Sequence, residues 1–296
     1  MKLTILTPTF NRGGVLKNLY ESLQLQTCKD FEWLIVDDGS NDNTKKFVSS
    51  WMENDNGFSI SYLYKINGGK HTALNLGIRN IETDLTFIVD SDDTLSEDAV
   101  ETILRYHRRY DDEENICGYA FLRRFYNGNI NGKLFKTDEY IDSYIESRIN
   151  SDDTFADKAE VYKTKCLKEY PFPEYTGEKF LGEDIVWMRM AKKYLMVHIN
   201  KAIYIGQYQD DGLTKNRRIH NIKSPIGCMN RAKEFMCKDI KCKYRIKATL
   251  QYIVYGLFAE EKILSLIKNS PDRKMTIIFC IPGLIIYFKW KSDFKN

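Results

Sequence analysis

The sequence predicts an α/β protein, with a Rossmann-like, mostly parallel central sheet flanked by helices and a helical, basic C-terminal region. Three observations carry this expectation. Along the first 125 residues, short apolar runs alternate with segments whose apolar residues recur at helical spacing, as strands joined by crossover helices require. Three polar clusters, 7–12, 37–44 and 90–93, follow apolar runs, and a parallel sheet gathers its ligand-binding loops on that rim. Charge divides unevenly: residues 185–296 hold 22 Lys and Arg against 8 Asp and Glu, and residues 1–184 hold 22 against 33.

Taken in order, Leu3–Thr7 reads as the first strand. Val15, Leu16, Leu19, Tyr20 and Leu23 then give a helix over 14–27 one apolar face. Phe31–Val36 is the second strand, and Phe47, Val48, Trp51 and Met52 mark the next helix. Ile60–Ile66 is the third strand, and Thr72–Asn80 a helix whose Gly77 permits close packing. Leu85–Val89 is the fourth strand. A helix follows with Ser96 as its N-cap and Val100, Ile103, Leu104 and His107 facing inward. Ile116–Phe125 is the fifth strand. Beyond it the pattern loosens: Asp138–Ile149 reads as helix, Glu183-Asp184 opens a helix over 185–194, and Met196–Tyr208 reads as a strand pair or a strand and loop. Residues 228–268 read as helical, with Ile246, Leu250, Ile253, Leu257, Leu264 and Ile267 as one stripe.

Composition narrows the function classes. A chain of 296 residues with 43 % hydrophobic and 29 % charged residues is neither disordered nor collagen-like, and it buries enough surface to need no staple. Seven cysteines without a C-x-x-C argue against a zinc finger or a disulfide framework and for a reducing, cytoplasmic setting. The opening MKLTILTPTFNR reads as a strand, not a signal peptide. An acidic front half suits a site that takes a cation. A basic back half suits an anionic partner, whether phosphates, a membrane surface or nucleic acid, and nucleic acid ranks last because the aromatics follow apolar stripes.

Each polar cluster has a structural and a chemical reading. Asp90, Asp92 and Asp93 repel one another unless a cation or donors neutralise them, and hard oxygen ligands suit Mn²⁺ or Mg²⁺; the plain alternative is a solvated turn. An EF-hand fails, because Leu95 stands where glycine is needed. Asp37-Asp38-Gly39 fits a turn before an N-capped helix, although two adjacent carboxylates exceed what a turn needs. Asn67-Gly68-Gly69-Lys70 at a helix start is an anion site or a flexible loop, and lacks P-loop spacing. Glu183-Asp184 is a general base or a pair favoured by the helix dipole. Residues 207–218 fold over a diphosphate or form a basic surface loop. No G-x-S-x-G or dinucleotide G-x-G-x-x-G is present.

In order and spacing, TPTFNR (7–12), FEWLIVDDGSNDNT (31–44), NGGKHTALNLGI (67–78), FIVDSDD (87–93) and GED (182–184) resemble the family 2 nucleotide-sugar glycosyltransferases of GT-A fold. The resemblance implies a nucleoside-diphosphate-sugar donor, inversion at the anomeric carbon, and an acceptor that is a glycan or lipid-linked glycan. By similarity, Thr7 and Asp38 touch the nucleoside, and Asp90 and Asp92 form the D-x-D pair on ribose and metal with Asp93 beside them. Asp184 is the base, with Glu183 its rival. Pro8, Thr9, Asn11, Arg12, Gly39, Lys70, Asn75, Ser91, Thr214 and Arg217 complete the expected donor contacts. Residues 1–215 then form the transferase domain, with 1–125 holding the donor and 126–215 the acceptor and catalytic half; 216–296 form the basic helical region. Two rivals are a sugar-nucleotide nucleotidyltransferase, which needs a G-x-G-T-R loop where PTFNRGG stands, and a non-catalytic glycan- or membrane-binding protein on the same scaffold. Met275–Phe288 is too short to span a bilayer, and Arg273, Lys274, Lys289 and Lys291 flank it. It either inserts shallowly at an anionic inner membrane face or packs on the 246–267 stripe.

Overall fold

The computed structural model describes residues 2–151, 156–206 and 217–294. In its first half, β1 (Leu3–Thr9), β2 (Phe31–Asp37), β3 (Ser59–Tyr64) and β4 (Leu85–Ile88) alternate with α1 (Gly13–Gln24), α2 (Thr44–Met52) and α3 (Lys70–Asn80). These four strands pair in parallel, in the spatial order β3-β2-β1-β4. Successive side chains go to opposite faces; β1 is buried along its whole length, whereas the edge strand β3 mixes buried and exposed positions. Leu3, Ile5 and Trp33 enter one core with the helix residues Leu16, Leu19 and Val48, while Leu6, Leu34 and Val36 enter the other with Ala73, Leu74 and Ile78 of α3. Gly77 lets α3 sit against the sheet: a Cβ there would meet Leu6 Cδ1 at 2.4 Å.

The second half extends the sheet with mixed polarity. β5 (Thr94–Leu95), α4 (Ala99–Tyr110), β6 (Ile116–Arg124), β7 (Glu139–Asp142), β8 (Lys158–Lys163), α5 (Thr164–Glu169), α6 (Asp184–Met190) and β9 (Leu195–Ile205) follow. The sheet continues β4-β8-β6-β9-β5, with β7 also on β9. β8 runs antiparallel between β4 and β6, so the fifth predicted strand does not adjoin the fourth. Gly118 of β6 allows this contact, since a Cβ would lie 2.2 Å from the Val161 carbonyl oxygen.

Two local expectations need correction and one open alternative is decided. Asp138–Ile149 is not one helix but β7 followed by a π-helical turn, Ile145–Asn150. The helical spacing of Tyr140, Tyr144, Ile145 and Ile149 is overridden by pairing with β9, where Tyr140 stacks on His198. Of the two alternatives for Met196–Tyr208, residues 195–205 take the strand of the strand-and-loop reading, as one long strand, β9, and residues 207 and 208 lie outside the described residues. Asp98, not Ser96, precedes α4, and Ser96 donates its hydroxyl to the Asp98 carboxylate at 2.7 Å.

Helices α7 (Arg217–Lys223), α8 (Pro225–Glu234), α9 (Cys242–Phe258), α10 (Ile263–Lys268), α11 (Arg273–Ile278) and α12 (Cys280–Asp293) form the C-terminal region. They share a small core of Cys228, Met229, Ala232, Tyr252, Ile253, Tyr255 and Leu266. The predicted stripe holds in part: Ile253 is buried and Leu257 packs on this core, but Thr249, Tyr252 and Gly256 are buried with them and Leu264 is 81 % exposed. The bundle is fastened to the loop before α6. Glu178 accepts the backbone N–H groups of Ile226 and Gly227 at 2.6 and 2.7 Å, satisfying the start of α8, and the Phe180 N–H donates to Ser224 Oγ.

Candidate active site

The carboxyl ends of β1, β2 and β4, the loop before α6 and the start of the C-terminal bundle enclose a cavity of about 790 Å³. Pro8, Thr9, Arg12, Asp38, Lys70, Asp90, Ser91, Asp92, Asp93, Glu183 and Arg217 line it, all of them expected from the sequence. Thr9 lines this cavity, and its buried hydroxyl has no partner among the described residues. Thr214 lies outside the described residues.

Of the expected residues among those described, Thr7, Asn11, Gly39, Asn75 and Asp184 do not line the cavity; Asp184 stands beside the lining residue Glu183, and the other four support the site from behind. Thr7 is fully buried, and its hydroxyl accepts the Trp33 indole N–H at 3.0 Å. Asn11 (φ 52°) ties two rim loops together: its N–H donates to Ser40 Oγ and its amide oxygen accepts from the Asn41 N–H. Gly39 (φ 90°) lets the second loop pass Asn67, whose nitrogen would lie 2.7 Å from a Cβ. Asn75 is buried on the opposite side of α3 and clamps both backbone groups of Phe172.

Asp38 is held more tightly than a simple base contact would require. Its two carboxylate oxygens accept from Lys65 Nζ (2.6 Å), the Gly68 and Gly69 N–H groups (2.9 and 2.7 Å) and Asn67 Nδ2 (3.2 Å). A carboxylate offers about four acceptor sites, so a nucleobase N–H has to share or displace one of these donors. Asp38 thereby fixes the Gly-Gly loop, and Gly69 (φ 99°) passes so close to Lys179 that a Cβ would lie 2.0 Å from its carbonyl oxygen.

The D-x-D carboxylates diverge. Lys70 Nζ contacts Asp90 at 2.5 Å and Glu183 at 2.7 Å. Burial works against the Lys70 charge, but the two carboxylates outweigh it and keep the ammonium protonated. Asp92 pairs with Arg12 at 2.9 Å. Asp93 turns inward, accepting from Arg123 and from the Tyr204 hydroxyl, both at 2.7 Å, and burial raises it to about 6 against the pull of Arg123. Among the described residues no three His, Cys, Asp or Glu side chains form a preformed cage. Asp90 and Asp92 supply the one or two carboxylates that Mg²⁺ or Mn²⁺ takes from protein when phosphates complete the shell, so the donor set fits such a cation.

Glu183 and Asp184 part company at the start of α6. Glu183 faces the cavity; Asp184 makes a two-pronged ion pair with Nε and Nη2 of Arg231 from α8, and Arg217 lies near it. Burial would raise the Asp184 carboxyl, but Arg231 overrides it and holds it below the usual carboxylate range. Sequence reasoning missed Arg231, Lys65, Arg123 and Tyr204, which hold the site's carboxylates, and lining residues such as Arg124, Lys179 and Lys223. Lys65, two residues before the Asn-Gly-Gly turn, carried a signal; Arg231 looks like any other cation of a basic helix.

The profile of glycosyl transferase family 2 matches residues 4–158. Glycosyltransferase GlyA of Streptococcus pneumoniae is 25 % identical over 232 residues, which are 72 % of this chain and only 32 % of GlyA. The GalNAc(5)-diNAcBac-PP-undecaprenol beta-1,3-glucosyltransferase of Campylobacter jejuni is 24 % identical over 96 % of this chain and 95 % of its own length. The crystal structure of Staphylococcus aureus TarS 1–349 in complex with UDP-GlcNAc shares the fold, with a TM-score of 0.66 and 18 % identity over 91 % of this chain and 76 % of that one. The matched segment carries β1, the Asp38 loop and the Asp90–Asp92 pair, and on that span the chain belongs to glycosyl transferase family 2.

Proposed function

We propose that the chain moves a sugar from a nucleoside-diphosphate donor, UDP-linked, to a hydroxyl of a glycan or lipid-linked glycan, in one inverting displacement. The observation that carries this reading is the convergence of Asp90, Asp92, Lys70 and Glu183 on one cavity. The UDP-GlcNAc named for TarS supports the donor class, and the undecaprenol-linked substrate named for the C. jejuni relative supports the acceptor class. An acceptor carried on a polyprenol would bring the reaction to the cytoplasmic face of a membrane.

A leaving diphosphate needs positive charge. Lys70 and Arg12, now on Asp90 and Asp92, are two lining cations able to turn to it, and Arg217 lines the same cavity. Asp90 and Asp92 would hold Mn²⁺ or Mg²⁺, which neutralises the same phosphates. In-line displacement requires the base opposite the leaving group. Glu183 shares one ammonium with Asp90 and so belongs to the leaving-group side. Asp184 is turned away from that cation, ionised and oriented by Arg231, and we assign it the proton of the acceptor hydroxyl. Asp184→Asn should remove sugar transfer at least 100-fold while UDP-GlcNAc binding, read by calorimetry with Mn²⁺, stays within about threefold. Glu183→Gln should weaken donor binding as well. Normal transfer by the Asp184 variant, with loss confined to kcat in the Glu183 variant, would move the base to Glu183.

A further inference from the structure

We infer that the outward face of α11 and α12 is a docking surface for an anionic lipid bilayer. The inward face of the pair is well packed. Thr276 is buried, Gly283 lies against Ile253, where a Cβ would come within 2.7 Å of Cγ2, and Tyr287 and Trp290 pack on Phe258 and Tyr255 of α9. The outward face is apolar and open: Ile277, Ile278, Ile281, Ile285 and Phe288 are each 58 to 70 % exposed. Ile281, Ile285 and Phe288 follow one another by four and three positions in α12, which places them along one helical stripe, and Ile277 and Ile278 end α11 just before it. Single exposed apolar residues are ordinary, but an uninterrupted stripe of large ones marks a contact surface.

The rim says what covers it. Arg273 and Lys274 stand at the start of the stripe and Lys289 and Lys291 at its end, all exposed. Of the acidic residues in 262–294, Asp272 is taken by Arg245 at 2.6 Å, leaving Asp293. Among the described residues no helix is long and apolar enough to cross a membrane, and α12, with 14 residues, is about 21 Å long against the ~30 Å of a hydrocarbon core. A short apolar stripe between cations lies in the interface plane, with its side chains among the acyl chains and its cations among anionic headgroups. A second copy of the chain fits less well, because a two-fold contact sets each patch against itself and brings like-charged rims together. The inference rests on this surface, not on the identity of the acceptor, so failure of the proposed acceptor leaves it standing.

The test is vesicle flotation of the full chain with phosphatidylcholine vesicles and with vesicles one-third phosphatidylglycerol, together with sizing chromatography. The wild type should float with the anionic vesicles at least tenfold more than with the neutral ones, and less as salt rises. The triple variant I281S, I285S and F288S, and separately the pair K289E and K291E, should each lose flotation at least tenfold, with melting temperature and UDP release from the donor unchanged. Failure of the wild type to float, or flotation of both variants at wild-type levels, would overturn the inference. So would a wild-type dimer that the triple variant converts to monomer.

Discussion

Replacing Arg231 by alanine tests whether Asp184 is held for chemistry or merely for structure. The two side chains are 17 and 22 % exposed, so the pair is neither a surface bridge nor fully buried. Breaking a buried pair from one side costs about 3–5 kcal/mol and an exposed one under about 1 kcal/mol, so about 2–3 kcal/mol is expected, on the order of 5 °C in Tm for a chain of this size. If Arg231 also aims the base, kcat should fall about 10- to 100-fold, part of the ~10²–10⁴ that a general base supplies. Arg231→Lys keeps the charge but loses the fork, and should recover stability more than rate.

The pH behaviour separates the two roles. Asp184 is held low in the folded state, so the pair stabilises above the unfolded aspartate value near 3.9, and that contribution is lost as pH falls through the lower folded value. The stability gap between wild type and Arg231→Ala should therefore be complete at pH 7 and close in acid. Without Arg231 the carboxyl rises, and the acid limb of kcat/KM should move to higher pH. The assay is UDP release and sugar transfer between about pH 4.5 and 8, with melting curves carried down to about pH 2 so that they cross the depressed Asp184 value. A variant that melts early but keeps wild-type kcat and an unmoved acid limb would refute the reasoning and reduce the pair to a strut between α6 and α8.

Two further perturbations follow from the same geometry. Gly69→Ala forces a side chain into the Lys179 carbonyl at a left-handed backbone position, so donor binding measured by calorimetry should fall at least tenfold, with about 1–3 kcal/mol of stability lost. Burial lifts Glu160 from 4.5 to about 7, with Arg148 pulling the other way. A raised carboxyl contributes stability below its unfolded value and loses it as pH climbs through the folded one. Wild type should therefore lose stability relative to Glu160→Gln between about pH 4.5 and 7, read from paired denaturation curves; parallel curves would refute it.

The first 125 residues were legible because local pattern and tertiary environment agree there. Leu3, Ile5 and Leu6 serve two cores from one strand, and the helical spacing of Leu16, Leu19 and Leu23 leaves one burial face. Legibility fails where long-range pairing decides. Nothing local in 158–163 says that this strand enters antiparallel between β4 and β6, or that Tyr140 gives up a helical pattern to stack on His198. The C-terminal stripe was legible only in part: Ile253 is buried as expected, but Gly256 is buried because Leu266 packs against it, while Leu264 faces out. A hydropathy pattern ranks leucine above glycine and so misses the small residues of that face.

The site exposes a subtler failing of charge arithmetic. An acidic front half suggests uncompensated carboxylates, yet the rim aspartates have near neighbours that neutralise them: Asp38 has Lys65, Asp90 has Lys70, Asp92 has Arg12 and Asp93 has Arg123. Those four cations lie within the first 125 residues, inside the half whose net charge is negative. Asp184 alone recruits its partner from the basic region, through Arg231. This asymmetry has a functional consequence. On the proposed assignment, the charges of Asp38, Asp90, Asp92 and Asp93 are balanced within one contiguous stretch, with Glu183 and Arg217 added from beyond it, while orientation of Asp184 depends on how the helical region docks on the 177–184 loop. Changes in that docking, through Glu178, Ser224 or Arg231, should alter turnover before they alter nucleotide affinity.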